Sequence, residues 1–380
     1  MTRRELLALA AGAPILRAAV VPAPPVVIAP TAYSDKLDDQ ILWMFDQLGG
    51  AGKLVRNKTV TIKMNLTGSP TLKFQGHSLG TTHYTHPATV QAMVSVLDNA
   101  GAKRIRLVES AWGTGGPLEE YLLDSGWKVR ALQNASHKLE FENTNALGLG
   151  KKYSRLKVPG GGHIYPAFDL NHSYEDTDVF MSMAKLKNHE TCGVTLSMKN
   201  CFGITPASTY GDDAGIDEPN EKPTKGRSDV CHIGKRQPSK TASAEHDPAT
   251  SREPGYRMPR IVADLAATRP IDIAFIDGIE TVTGGEGPWI PGLKYVKPGV
   301  LIMGTNAVGT DTVGTAVMGY DPRAKRGTRP FETCDNTLLL AEAQGVGSAD
   351  LSRIEVRGAG RPRSASPGRT HQPVQEQSAP

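Results

Sequence analysis

Short apolar runs alternate along this chain with longer stretches in which apolar residues recur every three or four positions. Val26-Val27-Ile28-Ala29 is a run of the first kind and predicts a buried strand. Leu37, Ile41, Phe45 and Leu48 follow at helical spacing, with Ser34 as the expected cap and Gly49-Gly50 as the stop. Thr59 to Met64 predicts a second strand. His86 or Thr85 then caps a helix that has Pro87 at its first position and Val90, Met93, Val94 and Leu97 on one face. Gly101 ends that helix. Ile105 to Val108 predicts a third strand, Pro117 to Ser125 a short helix, and Lys128 to Leu132 a further strand. Strand and helix taking turns in this way predict an α/β fold: a mixed, mainly parallel sheet with helices on both faces.

The pattern loosens between Gln133 and Ala167, where short antiparallel strands and loops are expected. It resumes with a buried strand at Val179 to Met183. Residues 207–256 form a long polar insertion of lid-like composition. Beyond it come a helix starting at Pro259, strands at Ile271 to Ile276 and Val300 to Met303, a helix from Ala307 to Met318, another beginning at Leu338, and a last strand at Ile354 to Val356. Residues 24–358 therefore read as one domain. The Gly, Arg, Pro, Ser and Gln of residues 359–380 read as a disordered tail.

Composition narrows the class. Apolar residues make up 39% and charged residues 22%, enough to bury a large core. Lys and Arg number 43 against 39 acidic residues, a net charge of +4, and no basic stripe is interleaved with aromatics. Nucleic acid is not an expected partner. No apolar run reaches the roughly 20 residues that span a bilayer. The 4 cysteines, Cys192, Cys201, Cys231 and Cys334, form no C-x-x-C pair, so neither a zinc ribbon nor an iron–sulfur cluster is signalled. Idle buried thiols are expected, with disulfides as the alternative in an exported protein.

Polar residues gather where the predicted strands end: Lys63 and Asn65, Glu109 and Ser110, Lys185 with Lys187 and His189, Asp277, and Thr305 with Asn306. Ligands of open α/β sheets bind beyond the carboxyl ends of the strands, so parallel strands would gather these groups into one site. In the densest segment, Lys185, Lys187 and His189 lie within five residues, with Lys199 and Asn200 downstream. Crowded lysines bind anions and lose protons readily, and histidine moves protons near neutral pH. Lys185, Lys187, His189 and Lys199 are the catalytic candidates. Lys63, Asn65, Glu109, Asn200 and Asn306 are assigned to substrate. Asp277 and Glu286 are candidate ligands for a divalent metal or partners for a substrate hydroxyl. His77, His83 and His86 match no strong metal signature, and Ser110 and Ser197 lack a nucleophile-elbow context.

The stretch Met183-Ala184-Lys185-Leu186-Lys187-Asn188-His189, continuing through Thr195 to Gly203, resembles the uncharacterised prokaryotic family known as domain of unknown function 362. Lys63-Met64-Asn65-Leu66, His86-Pro87, Glu109-Ser110, Ile276-Asp277-Gly278, Gly284-Gly285-Glu286-Gly287-Pro288, Asn306-Ala307-Val308 with Asp311, and Met318 to Pro322 agree with it. The resemblance runs from about Val26 to Gly358 and implies no established reaction. Some members carry ferredoxin-type cysteines that this chain lacks. The expected function is an enzyme acting on a small anionic molecule by acid–base chemistry, with or without a metal. The alternatives are a binding protein without turnover and a redox protein lacking the family's cluster.

Arg3-Arg4 followed by Leu6, Leu7, Ala8, Leu9, Ala10 and Ala11 reads as a short twin-arginine export signal over residues 1–23, which implies a periplasmic or otherwise exported protein. Protein from the native cell envelope is expected to begin between Ala18 and Pro24. N-terminal sequencing that finds an intact Met1 or Thr2 would contradict export with cleavage.

Overall fold

The computed structural model describes residues 23–34 and 36–358. Nearly all of the export segment, and the whole of the tail, lie outside the described residues. Eight strands make one sheet: β1 (Ala23–Pro30), β2 (Thr59–Lys63), β3 (Arg104–Glu109), β4 (Leu139–Asn143), β5 (Val179–Lys185), β6 (Ile273–Gly278), β7 (Val300–Gly304) and β8 (Ile354–Gly358). Their spatial order is β8-β1-β7-β6-β5-β2-β3-β4. Neighbours are parallel except the two pairs that include β7. The sheet is thus mixed and mainly parallel, as expected.

Helices cover both faces. On one side lie α1 (Leu37–Gln47), α2 (Pro87–Asn99), α3 (Leu118–Asp124) and α4 (Val129–Ala135). On the other lie α5 (Leu196–Asn200), α6 (Pro254–Thr268), α7 (Ala307–Val317) and α8 (Thr337–Ala343). β5 and β6 sit centrally and are buried along their whole length. Side chains nevertheless alternate. Met181 and Met183 of β5 join the α1–α2 core, while Phe180 and Ala184 face the other way.

Four local expectations change. The segment Lys128 to Leu132 is helical, not a strand. Val129 and Leu132, three apart, bury one face of α4. The edge strand is instead Leu139–Asn143, whose half-buried residues gave no apolar run. Ser34 does not cap α1, since Lys36 flanks it without a side-chain cap. α6 starts at Pro254, which takes the first-turn position tolerant of a missing N–H, and Pro259 lies inside it.

The polar insertion contributes no strand to the sheet. It is anchored to the body, because Tyr210, Val230 and Cys231 are fully buried in the second core. All four cysteines are free, and burial pushes each thiol up to about 12. Among the described residues no helix is long and apolar enough to cross a membrane.

α7 fixes the short helix α5, which carries Lys199 and Asn200. Asp311 accepts hydrogen bonds from Ser197 N at 2.8 Å, Met198 N at 2.8 Å and Ser197 Oγ at 2.5 Å. Leu196, just before, is held at φ 40°, a region unfavourable for a bulky side chain. Burial raises the Asp311 carboxyl to about 7, although its three donors oppose the shift. The folded protein therefore holds this proton more tightly than the unfolded chain. The stabilising share is complete below the ordinary value of 3.8 and is lost as pH rises through about 7. At about 1.4 kcal/mol per pKa unit, the change is at most about 4 kcal/mol. Between pH 4 and pH 8 the Tm of the wild type is expected to fall relative to that of Asp311→Asn. Parallel Tm–pH curves would contradict this.

Candidate functional site

A cavity of about 490 Å³ opens beyond the carboxyl ends of β2, β3 and β5. Its position follows from parallel strands, whose carboxyl ends share an edge. Lysines dominate it, and each is treated differently. Lys63, at the end of β2, pairs with Glu109 of β3 at 2.7 Å and donates to Met64 O at 2.6 Å and Asn200 Oδ1 at 3.1 Å. Glu109 also accepts from Leu66 N at 2.9 Å. Gly203 presses against this pair: a Cβ there would lie 2.8 Å from Lys63 Nζ and 3.0 Å from Glu109 Oε1. Glycine is needed here for close approach, not for a special turn conformation.

Lys187 is fully buried and donates to two backbone carbonyls, His83 O and Glu286 O, both at 2.8 Å. Burial, with Lys199 and Lys185 adding to it, holds its pKa well below the usual lysine range. Lys199 is half-buried. Its Nζ stands 4.6 Å from the centre of the Phe202 ring and has no hydrogen-bond or carboxylate partner among the described residues. Burial lowers its pKa, and Lys63 and Arg227 push the same way.

Two histidines complete the polar lining. Thr191 N–H donates to His189 Nδ1 at 3.2 Å, so the neutral ring carries its proton on Nε2. His189 Nδ1 lies 4.0 Å from Glu286 Oε2. His232 has the opposite arrangement. Its Nδ1 faces Arg227 O at 3.3 Å, which places the proton there and leaves a lone pair on Nε2. Burial and Lys199 hold His189 well below its ordinary value and His232 down to about 4, so both rings are neutral at pH 7. Glu286 accepts from Glu190 N at 3.0 Å and Trp289 Nε1 at 3.1 Å. Burial pushes its carboxyl up, but these two donors and the nearby Lys199 charge hold it below the usual carboxylate range.

Of the residues expected from sequence, Lys63, Asn65, Glu109, Lys187, His189, Lys199, Asn200 and Glu286 line the cavity. Asn65 Oδ1 is buried without a hydrogen-bond partner. Three others do not join them. Lys185 points to the opposite face of the sheet, as alternation along β5 requires. There it donates to Gly80 O at 2.6 Å, Tyr33 OH at 3.0 Å and Asp277 Oδ2 at 3.2 Å, with Lys185 and Asp277 both fully buried. Asn306 follows the antiparallel strand β7 and so lies at the other edge. It caps α7 by accepting from Gly309 N at 2.9 Å and donates to Val346 O.

Asp277 and Glu286, the candidate metal ligands, are not brought together: Glu286 lines the cavity and Asp277 does not. Asp277 is surrounded by donors from Tyr33, Lys185, His86 N and Ile279 N. Its partners suit a structural carboxylate, while Glu286 is engaged elsewhere. His77 stacks on Tyr295 and His86 on Tyr33, so the early histidines do not converge. Among the described residues no three His, Cys, Asp or Glu side chains stand together as a metal set.

Sequence reasoning missed Arg227 and His232, which the polar insertion delivers to the cavity, and the aromatic residues Trp112, Phe202 and Trp289. Phe202 gathers three polar groups: Lys199, Arg227 at 5.8 Å from its centre, and the edge of His232 at 5.4 Å. One signal was available. Val230-Cys231 is an apolar pair inside a polar segment, and it pins the stretch from Arg227 to His232 against the body.

The fold and site define an α/β protein with a cationic pocket at the carboxyl edge of a mainly parallel sheet. The model of the family described as Domain of unknown function (DUF362) matches residues 60–316, and the chain belongs to that family. Among the curated proteins, no match to this chain was found.

The Lys63–Glu109 pair gives a direct test of the buried electrostatics. Removing one partner leaves a buried charge unpaired and costs about 3–5 kcal/mol, whereas replacing both with apolar groups can be close to neutral. In urea unfolding, Glu109→Gln is expected to destabilise more than the double variant Lys63→Met with Glu109→Leu. The reverse order would show that the pair is not buried in solution.

Proposed function

We propose that this protein is an exported enzyme that binds a small anionic molecule in the pocket at the carboxyl edge and acts on it by acid–base chemistry. The observation that carries the reading is Lys199. Lys63 has a carboxylate and Lys187 has two carbonyls, but Lys199 Nζ lies at the cavity with the Phe202 ring beside it and no hydrogen-bond partner among the described residues. A bound anion supplies the missing partner, with Arg227 and the Asn65 amide as further donors. The two histidines supply protonation states of opposite sense: His232 Nε2 accepts a proton and His189 Nε2–H donates one. Glu286 close to His189 supports acid–base work over simple capture, because a binding site needs only unperturbed donors.

Calorimetric titration with inorganic phosphate is expected to show binding that Lys199→Ala weakens at least tenfold without loss of fold. Binding should also weaken as pH rises through the lowered pKa of Lys199, and as salt rises. Undiminished binding by Lys199→Ala would overturn the reading. Enzyme and binding protein are separated by incubating wild type and His232→Ala with a mixture of anionic metabolites, followed by mass spectrometry. Depletion by the wild type alone supports turnover. Phosphate binding without depletion of any compound would favour a binding protein.

A further inference from the structure

The pocket holds features that a bare anion does not use. Trp112 is 43% exposed and Trp289 is 42% exposed, and both line the cavity, as does Leu72 at 41%. Large aromatic residues are seldom left so open without a partner to cover them. Trp289 is held in place. Trp289 donates from Nε1 to Glu286 Oε1, and its ring lies close against backbone at Gly68 and Gly287. A Cβ on Gly68 would come to 2.6 Å of the ring and one on Gly287 to 2.3 Å. Gly68 is itself held, because its carbonyl accepts from Tyr84 OH at 2.8 Å and Tyr121 OH at 2.5 Å. Trp112 follows β3, and its indole nitrogen lies 3.5 Å from where a Cβ on Gly226 would be. Gly226 precedes Arg227, which donates to Ser110 O at 3.2 Å. Two indoles therefore come from different loops, Trp289 packed on the 66–72 loop and Trp112 beside the insertion, with the cations around Phe202 in the same cavity.

Size points the same way. A cavity of about 490 Å³ far exceeds a simple oxyanion, which displaces the space of a few waters at ~30 Å³ each. Within the anion-binding reading above, on which this inference rests, we propose that the ligand is a ring-bearing anion: a carboxylate or phosphate carried on a planar aromatic group. The charged end meets Lys199 and Arg227, and the ring lies against Trp289 and Trp112. Preformed aromatic surfaces favour flat apolar groups at little ordering cost, and base-like or aryl rings gain most from stacking.

The test compares matched probes on the full chain by calorimetry, with tryptophan fluorescence as a second readout. The pairs are phenyl phosphate against inorganic phosphate, and benzoate against acetate. Each ring-bearing probe is expected to bind at least tenfold more tightly than its ringless partner and to quench tryptophan emission. Trp112→Leu should shrink that advantage while leaving phosphate and acetate affinity unchanged, and Trp289→Leu, which also removes the Nε1 donor of Glu286, should shrink it as well. Lys199→Ala should weaken both members of each pair. Equal affinities within the pairs, or an advantage that survives both tryptophan substitutions, would overturn the ring assignment and leave the anion reading standing. Failure of all four probes to bind would overturn both.

Discussion

Lysine ammonium groups removed from water cost several kcal/mol each unless something replaces the lost hydration. This protein removes them repeatedly at one edge of one sheet, and its loops are arranged around that cost. Lys63 is matched by Glu109 and by the amide of Asn200. Lys185 is matched by Asp277, with Tyr33 and Gly80 O filling its remaining donor directions. Lys187 has no carboxylate on Nζ and relies on two carbonyls, one from the 83–86 turn and one from the 284–288 loop. The segments that converge here come from widely separated parts of the chain. Each brings an acceptor that a lysine requires, so the ammonium groups fix the loops as much as the loops fix them.

The decreasing compensation has a direction. Lys185 is sealed and fully satisfied, Lys187 is buried but only partly offset, and Lys199 at the cavity has the Phe202 ring beside it and no hydrogen-bond partner among the described residues. A set of cations built only for stability would be compensated evenly. Here the compensation thins toward the opening, where an outside anion can complete it. Strand alternation makes the division sharp. Lys185 and Asp277 share the α1–α2 face with Met181, Met183 and Phe275, and Lys63 with Ser182 takes the other.

Much of this was legible in the residues. The apolar runs of β1, β2, β3, β5 and β6 stand out, and the polar groups just past β2, β3 and β5 do meet. What was hidden has physical causes. A run such as Val300 to Met303 reads the same whichever way the strand points, so the reversal of β7, and with it the removal of Asn306 from the site, left no local trace. Val129 and Leu132 suit a strand or a helix equally over five residues, and only tertiary burial chooses. Lys185 and Lys187 look equivalent in sequence. The chain leaves the sheet after Lys185, so one faces the closed side and the other reaches the cavity. Arg227 and His232 were masked by the polarity of the segment that carries them.

Neutral histidines beside lysines follow from the same electrostatics. A proton added to His189 or His232 would join Lys199 and Arg227 in a poorly solvated space, so both rings stay uncharged. Backbone groups then decide what each ring offers. The Thr191 N–H makes His189 a donor at Nε2, and the Arg227 carbonyl makes His232 an acceptor at Nε2. In the proposed reading, charge recognition and proton transfer fall to different side chains. In that reading Arg227 offers its charge over a wide pH range and Lys199 does so below its lowered pKa, while the imidazoles keep fixed and opposite hydrogen-bonding senses. A single histidine doing both would change its role as it titrated. Two held by the backbone do not, and the insertion carrying Arg227 and His232 thereby supplies polar groups of fixed sense to the pocket as well as part of its wall.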